Sequence, residues 1–126
     1  LAERLKTVSR QNDLDFADQV RRVVRGLVAV RRCSLDEVAA LFSMNRRRIN
    51  RKLELQGTTF HQISQEALCA QAERLMRDTG MTLGEISAAL DYAEAGVFTR
   101  AFRGWRGMTP SEWRRMHARN RGLGGG

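Results

Sequence analysis

Apolar residues recur at helical spacing along most of the chain, and they predict an all-α protein. The first amphipathic segment covers residues 13–32, and its predicted inward face consists of Phe16, Val20, Val23, Leu27 and Val30. Further segments of this kind follow at 35–42, 45–56, 60–78, 83–90, 94–105 and 110–119. The pattern predicts seven helices and no strand, and the single proline, Pro110, stands where a helix begins.

Four short motifs indicate where helices begin. In a capping box, a Ser or Thr and the Glu or Gln three residues later each accept a hydrogen bond from the other residue's backbone amide. The chain has four such pairs: Ser34 with Glu37, Thr59 with Gln62, Thr82 with Glu85, and Thr109 with Glu112. Gly57 predicts the end of the helix at 45–56, because glycine adopts the left-handed cap conformation without steric cost.

One two-helix pattern occurs twice, at residues 34–56 and 82–105. Matching residues are offset by 48 positions at the start and by 49 after the turn: Ser34 with Thr82, Leu35 with Leu83, Glu37 with Glu85, Ile49 with Phe98, Arg51 with Arg100, and Leu53 with Phe102. Each copy has the order of a helix-turn-helix unit, and a long helix at 60–78 joins them. We therefore predict a tandem helix-turn-helix domain at 13–121. It follows a linker or the tail of an upstream domain at 1–12, and precedes a flexible tail at 122–126.

The charge of the chain indicates a polyanionic partner. Its 22 Lys and Arg residues against 14 Asp and Glu give a formal net charge of +8. The segment 45–56 concentrates this charge, since five of its first eight residues are basic and none is acidic. Its apolar face carries Ile49 and Leu53, while the opposite face carries Arg46, Arg47, Asn50 and Arg51. Arg and Asn match guanine and adenine edges in the DNA major groove, although a solvated basic face would show the same composition.

The sequence offers little for catalysis, metal binding or membrane insertion. It has no nucleophile-elbow motif and no phosphate-cradling glycine loop, so we predict neither an enzyme nor a cofactor. His61 and His117 lack partners at metal-ligand spacing, and Cys33 and Cys69 are predicted to be reduced thiols of a cytoplasmic protein. No apolar run approaches the roughly 18 residues that span a bilayer.

Two runs carry a resemblance to a known family. Residues 44–53 read Met-Asn-Arg-Arg-Arg-Ile-Asn-Arg-Lys-Leu, and residues 98–114 read Phe-Thr-Arg-Ala-Phe-Arg-Gly-Trp-Arg-Gly-Met-Thr-Pro-Ser-Glu-Trp-Arg. With them, residues 34–115 resemble the DNA-binding domain of AraC/XylS-type bacterial transcription regulators. The resemblance implies a sequence-specific regulator with an effector-binding or dimerisation domain upstream, which fits a chain that begins at Leu1, and contact with RNA polymerase in the full protein.

The resemblance also implies particular contacts with double-stranded DNA. The base-reading positions become Arg47, Asn50 and Arg51 in the first unit, and Ala95, Gly96 and Arg100 in the second. Phosphate contacts are assigned to basic residues beside them: Arg46, Arg48, Lys52, Arg103 and Arg106. A monomeric chain would place two recognition helices in successive major grooves about 34 Å apart, on an asymmetric site of two blocks. Because only the first unit has forked side chains at all three positions, we expect it to supply most of the sequence information.

The chain departs from the family pattern at three positions. Relatives commonly have Gly in the turn before each recognition helix, where this chain has Ser43 and Asp91; both would be strained if that position is left-handed. Leu68 stands where relatives often carry Arg. The alternative function is a nonspecific basic module for RNA or for DNA packaging, which charge alone would allow. Against it, readers of single-stranded RNA expose aromatic side chains, whereas Trp105 and Trp113 are predicted to pack in the core.

Overall fold

The computed structural model describes the backbone of residues 16–125 and the side chains of 16–117, and this part of the chain is all-α. It contains seven helices and no strand: α1 Phe16–Ala29, α2 Leu35–Leu41, α3 Arg46–Leu55, α4 Phe60–Asp78, α5 Leu83–Ala89, α6 Ala95–Arg106 and α7 Pro110–Gly125. The predicted fold class is confirmed. The predicted linker at 1–12 and the expected first turn at 13–15 lie outside the described residues.

The described residues divide into two compact units, unit 1 up to Ala67 and unit 2 from Leu68 onward, with the division inside α4. The described core of unit 1 is mainly aliphatic, and its fully buried side chains are Val20, Val24, Val38, Ile49, Leu53 and Ile63. One aromatic pair adds to it, since the rings of Phe16 and Phe42 meet edge to face with centroids 5.4 Å apart.

The buried face of α1 differs from the prediction. Its buried residues recur every four positions, at Phe16, Val20, Val24 and Val28, with Ala17 beside them. The sequence pattern predicts Val23, Leu27 and Val30 on that face. Val23 and Leu27 are only half-buried, and Val30, which follows the last residue of the helix, is 60% exposed. The apolar stripe is wide enough to allow both assignments, and packing selects the one with a four-residue repeat.

Unit 2 has an aromatic core. Phe98 and Phe102 are fully buried on α6, and Trp113 of α7 is 6% exposed. The ring of Phe102 meets those of Trp105 and Trp113 in T-shaped contacts, each with centroids 6.1 Å apart. The predicted core packing of both tryptophans is confirmed, although Trp105 is only half-buried. The apolar side chain of Val97, which precedes Phe98 on α6, is 37% exposed.

Two of the four predicted capping boxes are closed, meaning that both of their hydrogen bonds are formed, and both lie in unit 2. At the start of α5 the Thr82 hydroxyl accepts from the Glu85 amide at 3.1 Å, and the Glu85 carboxylate accepts from the Thr82 amide at 3.0 Å. Thr109 and Glu112 exchange the same two bonds, at 3.2 and 3.3 Å, before α7. Hydrogen bonds from Thr82 and from Thr109 lower the pKa of Glu85 and of Glu112 respectively.

The two boxes of unit 1 are only half formed. The Ser34 hydroxyl accepts from the Glu37 amide at 3.1 Å, but the Glu37 carboxylate pairs with Arg32 at 3.3 Å instead of returning the bond. The Thr59 hydroxyl accepts from the Gln62 amide at 3.1 Å, while the Gln62 side chain accepts from the Thr58 hydroxyl. In both cases a residue one or two positions before the cap residue engages the Glu or Gln side chain, so this side chain does not accept from the cap residue's amide.

Left-handed glycines end both recognition helices, α3 and α6. Gly57 has φ 81° and Gly107 has φ 73°, a region that costs glycine little. The expected stop at Gly57 is therefore confirmed. The last helix differs from the prediction, because α7 continues to Gly125 rather than ending near Arg119 and so includes residues 122–125 of the expected tail.

Candidate nucleic-acid interface

The turns before the two recognition helices have the same construction. In unit 1 the Met44 amide donates to Ala39 O and the Ser43 amide to Ala40 O. In unit 2 the Tyr92 amide donates to Ser87 O and the Asp91 amide to Ala88 O, so every partner is shifted by 48 positions. The inserted residue of the second copy therefore falls after Tyr92, where Ala93 precedes the N-cap residue Glu94.

The turn residue at the glycine position of relatives is left-handed in both units. Ser43 has φ 53° and Asp91 has φ 68°. An L-residue pays a steric cost in this region that glycine avoids, although Asp and Asn tolerate it better than most. The strain expected from the sequence is thus present at both positions. Arg31, with φ 61° after α1, is a third such residue, and no local sequence pattern predicts it.

The recognition helix of unit 1, α3, is held at its base and at both ends. Its own side chains Ile49 and Leu53 are fully buried and form its base. The Asn45 side chain caps its N-terminus by accepting from the Arg48 amide at 2.7 Å, and the Gln56 side chain accepts from the Ala17 amide at 2.9 Å. The cap role of Asn45 was missed at the sequence level, although Asn directly before a helix is its usual signal.

Three predicted base-reading residues form one exposed surface on α3, called here the reading face: Arg47, Asn50 and Arg51. Arg47 and Arg51 are exposed, and Asn50 is half-buried. Within the described residues, none of the three side chains makes a hydrogen bond or ion pair. They border one concave patch together with Glu54, a residue to which the sequence assigned no function. The forked donors of both arginines therefore point to no protein partner and are available to a ligand.

The predicted phosphate ligands of unit 1 differ in their surroundings. Arg46 and Arg48 are exposed, and Arg46 forms a solvent-exposed ion pair with Asp36 at 3.4 Å. Such a pair contributes little and leaves Arg46 free to exchange partners. The Lys52 ammonium instead lies 4.5 Å from the centroid of the Phe16 ring, a cation–π contact. Lys52 thus helps to attach α3 to α1.

The recognition helix of unit 2, α6, presents a smaller surface. The predicted base-reading residues Ala95, Gly96 and Arg100 are all exposed. The N-cap residue Glu94 makes no side-chain cap bond. Val97, the residue after Gly96, is also 37% exposed. The face therefore offers one guanidinium, that of Arg100, beside small or apolar neighbours.

Arg106, which the resemblance assigned to phosphate contact, is paired with an acidic side chain of the protein itself. Its Nε donates to Glu73 Oε2 at 2.6 Å and its Nη2 to Glu73 Oε1 at 3.1 Å. The Glu73 side chain is only 17% exposed, and its hydrogen bonds raise the pKa of Arg106. This bidentate pair ties the end of α6 to α4. Arg103, the other phosphate ligand predicted on α6, is exposed.

Arg114, part of the family motif at 98–114, has a structural role that the sequence did not reveal. Its Nε donates to Met76 O at 3.2 Å and its Nη2 to Thr79 O at 2.8 Å. Carbonyl groups at a helix end lack intrahelical partners, and a cation there also favours the helix dipole. Arg114 of α7 therefore caps the C-terminus of α4.

Other reactive side chains do not assemble into a site within the described residues. Over that range, no group of three or more His, Cys, Asp or Glu side chains is placed to hold a metal ion. Cys33 and Cys69 are free thiols, and burial, followed by the charge of Glu73, raises the pKa of Cys69 to about 11. His61 is exposed, and His117 Nδ1 lies 2.9 Å from Trp113 O. No described helix combines the length and the apolar character needed to cross a membrane.

Comparison with known proteins adds to this geometry. The family described as "Helix-turn-helix domain" matches residues 38–116. VirS of Mycobacterium tuberculosis, an HTH-type transcriptional regulator, is 30% identical over 103 residues, which are 82% of this chain and 30% of VirS. The chain therefore spans less than a third of the length of that relative.

Two solved structures have the same fold. A transcriptional regulator of the AraC-type DNA-binding-domain group from Chromobacterium violaceum matches with a TM-score of 0.72 and 21% identity, over 88% of this chain and 96% of that one. The DNA-binding domain of AdpA, solved in complex with a target DNA, matches with a TM-score of 0.68 and 21% identity, over 84% and 95%. This chain belongs to the AraC-type family of helix-turn-helix DNA-binding domains of transcription regulators.

Proposed function

We propose that this chain is the DNA-binding part of a bacterial transcription regulator and reads double-stranded DNA with α3 and α6 in successive major grooves. The observation that carries the proposal is the reading face of α3, whose Arg and Asn side chains have no protein partner within the described residues. The structure of the AdpA domain with its target DNA supports DNA as the ligand. Two helix-turn-helix units in one chain favour an asymmetric site of two blocks about 34 Å apart.

The two helices would contribute differently to base recognition. Arg47 and Arg51 can each donate two hydrogen bonds to guanine O6 and N7, and Asn50 can bond adenine N6 and N7. Each good bidentate contact gives about 1–3 kcal/mol of discrimination against the wrong base. On α6, Arg100 alone can make such a contact, while Ala95 and Gly96 can approach thymine methyl groups closely.

Contacts to the phosphates would come from exposed arginines beside these faces. Arg46 and Arg48 flank the reading face of α3, and Arg103 is exposed on α6. Each phosphate neutralised releases condensed counterions, so affinity should fall steeply with salt. Lys52 and Arg106 are retained only as minor contributors, because the cation–π contact and the Glu73 pair hold them.

The full-length regulator would add functions that lie outside this chain. Since the chain spans 30% of VirS, we propose that the whole protein has an upstream effector-binding or dimerisation domain and contacts RNA polymerase. It would act in the cytoplasm, where bacterial DNA lies, without catalysis or a cofactor. The chain by itself would bind as a monomer.

Selection of bound duplexes from a random-sequence pool at near-physiological salt tests the proposal. The unsubstituted chain should enrich an asymmetric motif in two blocks about one helical turn apart. Arg51→Ala should blur one block, which means that the base preference at a position of that block becomes weaker. Arg22→Ala, which removes the same charge from an exposed position on α1, should blur neither.

The opposite outcome is equally clear. If no motif is enriched, and binding only fades as salt rises, the chain is a nonspecific basic module for DNA or RNA. Blurring of the same block by Arg22→Ala would show that net charge, rather than the reading face, produces the preference.

A further inference from the structure

We propose that Glu54 is a specificity-determining residue that selects a cytosine in the block read by α3. This inference rests on the proposed function and extends it, since neither the family motif nor the reading face includes Glu54. The carboxylate would accept a hydrogen bond from the N4 amino group of cytosine in the major groove.

The first observation is the position of Glu54 along the helix. Its exposed side chain borders the same concave patch as Arg47, Asn50 and Arg51. It lies four residues after Asn50, so the two Cα atoms are about 6 Å apart along the helix axis. That distance corresponds to fewer than two base-pair steps of about 3.4 Å. A helix that reads one base pair with Asn50 or Arg51 therefore brings Glu54 to a pair one or two steps away.

The second observation is that the fold gains nothing evident from this carboxylate. Glu54 lies in the last turn of α3, where the partial negative charge of the helix end opposes an acid. Within the described residues its side chain forms no ion pair or hydrogen bond, although Arg51 precedes it by one turn. The charge would also repel DNA phosphates. A specific donor on a base would offset both effects.

The chemistry of the base edges selects the partner. A carboxylate can only accept hydrogen bonds. In the major groove guanine presents two acceptors and thymine presents an acceptor beside its methyl group. Adenine offers a donor next to the N7 acceptor, which would repel the second carboxylate oxygen. Cytosine offers its N4 donor without that acceptor, so a G·C pair with cytosine facing Glu54 fits best.

Random-pool selection with Glu54→Gln tests this assignment. With the unsubstituted chain we expect a cytosine one or two base pairs from the position that Arg51→Ala blurs. Glu54→Gln should reduce that cytosine preference by about fivefold or more and shift it toward adenine, which glutamine can bond through N6 and N7. Glu66→Gln is the matched control, because Glu66 is exposed on α4 and its ion pair with Arg21 at 3.8 Å is weak. It should leave the motif unchanged.

Three other outcomes would overturn the inference in different ways. An identical motif for Glu54→Gln would refute it while leaving the proposed function intact. A change at the very position that Arg51→Ala blurs would show that Glu54 orients Arg51 rather than reading a base. Absence of any motif with the unsubstituted chain would overturn the proposed function, and this inference with it.

Discussion

The two helix-turn-helix units have turns of the same conformation, and they differ in the helix that follows the turn. Ser43 and Asp91 are both left-handed, and the backbone hydrogen bonds around them match at a constant offset of 48 residues. Yet the side chain of Asn45 caps α3, which carries Arg and Asn. The N-cap residue of α6, Glu94, makes no such bond, and α6 presents small residues. The backbone turn that positions the recognition helix is thus the same in both units. The side chains that the recognition helix exposes differ between them.

The contacts that hold the two recognition helices in place also differ between the units. In unit 1, α3 packs through its own aliphatic side chains Ile49 and Leu53, which are fully buried. Unit 2 packs α6 on aromatic rings and adds two guanidinium braces, Arg106 to Glu73 and Arg114 to the end of α4. Unit 2 therefore holds its recognition helix with aromatic rings and arginine pairs, and that helix presents fewer groups suited to reading bases. We infer that unit 1 supplies most of the specificity.

Deleting a ring from the aromatic core should have the largest effect. Phe102 is fully buried against three other rings, so Phe102→Ala should lower the free energy of unfolding by about 3–5 kcal/mol. Chemical denaturation would measure it, with Met116→Ala, at a 58% exposed position, as the control. A loss below about 1 kcal/mol would contradict the role given to this core.

Removing the brace at the end of α4 should have the next largest effect. Arg114→Ala leaves the carbonyls of Met76 and Thr79 without their charged donor and should cost about 1.5–3 kcal/mol of unfolding free energy. Arg115→Ala removes the same charge from an exposed neighbour and should change stability little. Equal losses in the two variants would mean that charge, not the cap, matters.

The division of base reading can be tested with one variant in each unit. Arg47→Ala should remove about 1–3 kcal/mol of discrimination at one base pair, measured by competition binding with matched and mismatched duplexes. Ala95→Asp should remove less, because Ala95 offers no hydrogen bond for a base. Comparable losses of specificity in both variants would contradict the division.

Relief of strain in the two turns should have a smaller effect. Ser43→Gly should raise the free energy of unfolding by about 0.5–1 kcal/mol, because glycine adopts φ 53° without the cost that serine bears. Asp91→Gly should gain less, since aspartate tolerates this region better. Thermal unfolding would measure both variants. A larger gain from Asp91→Gly would show that its side chain is the more strained.

Acid should weaken unit 2 slightly through its closed capping boxes. The folded-state pKa values of Glu85 and Glu112 lie below the ordinary value of 4.5, so their contribution is complete above that pH. It is lost as the pH falls through the folded-state values. The double variant Glu85→Gln and Glu112→Gln should therefore lose less unfolding free energy than the unsubstituted chain between about pH 5 and 3. If the unfolding free energies of the double variant and the unsubstituted chain fell in parallel with pH, this prediction would be contradicted.

Much of the fold could be predicted from the sequence because its signals are local. Helical periodicity and the pairs Thr82–Glu85 and Thr109–Glu112 located helices correctly. The exposure of Arg47 and Arg51 followed from their opposition to Ile49 and Leu53. Partners distant in sequence could not be predicted in this way. Glu73 is 33 residues from Arg106, and Met76 is 38 residues from Arg114, so no local pattern indicated that these arginines serve the fold.

The stripe on α1 and the exposure of Val97 show a second limit of the sequence pattern. Val23 and Val24 are adjacent and chemically identical, and only the packing of unit 1 decides that Val24 is fully buried. Val97 stands next to buried Phe98, at the edge of the apolar face of α6, where burial depends on neighbouring elements. Patterns therefore assign the middle of a helical face reliably and its margins poorly.

The most direct measurement of the central claim is a base-pair substitution scan of the selected duplex. Every position of both blocks would be changed in turn, and the binding free energy of the unsubstituted chain measured at one salt concentration. We predict losses of about 1–3 kcal/mol at several positions of the block that Arg51→Ala blurs, and at about one position of the other block. Equal losses across the two blocks, or larger losses in the block read by α6, would contradict the account.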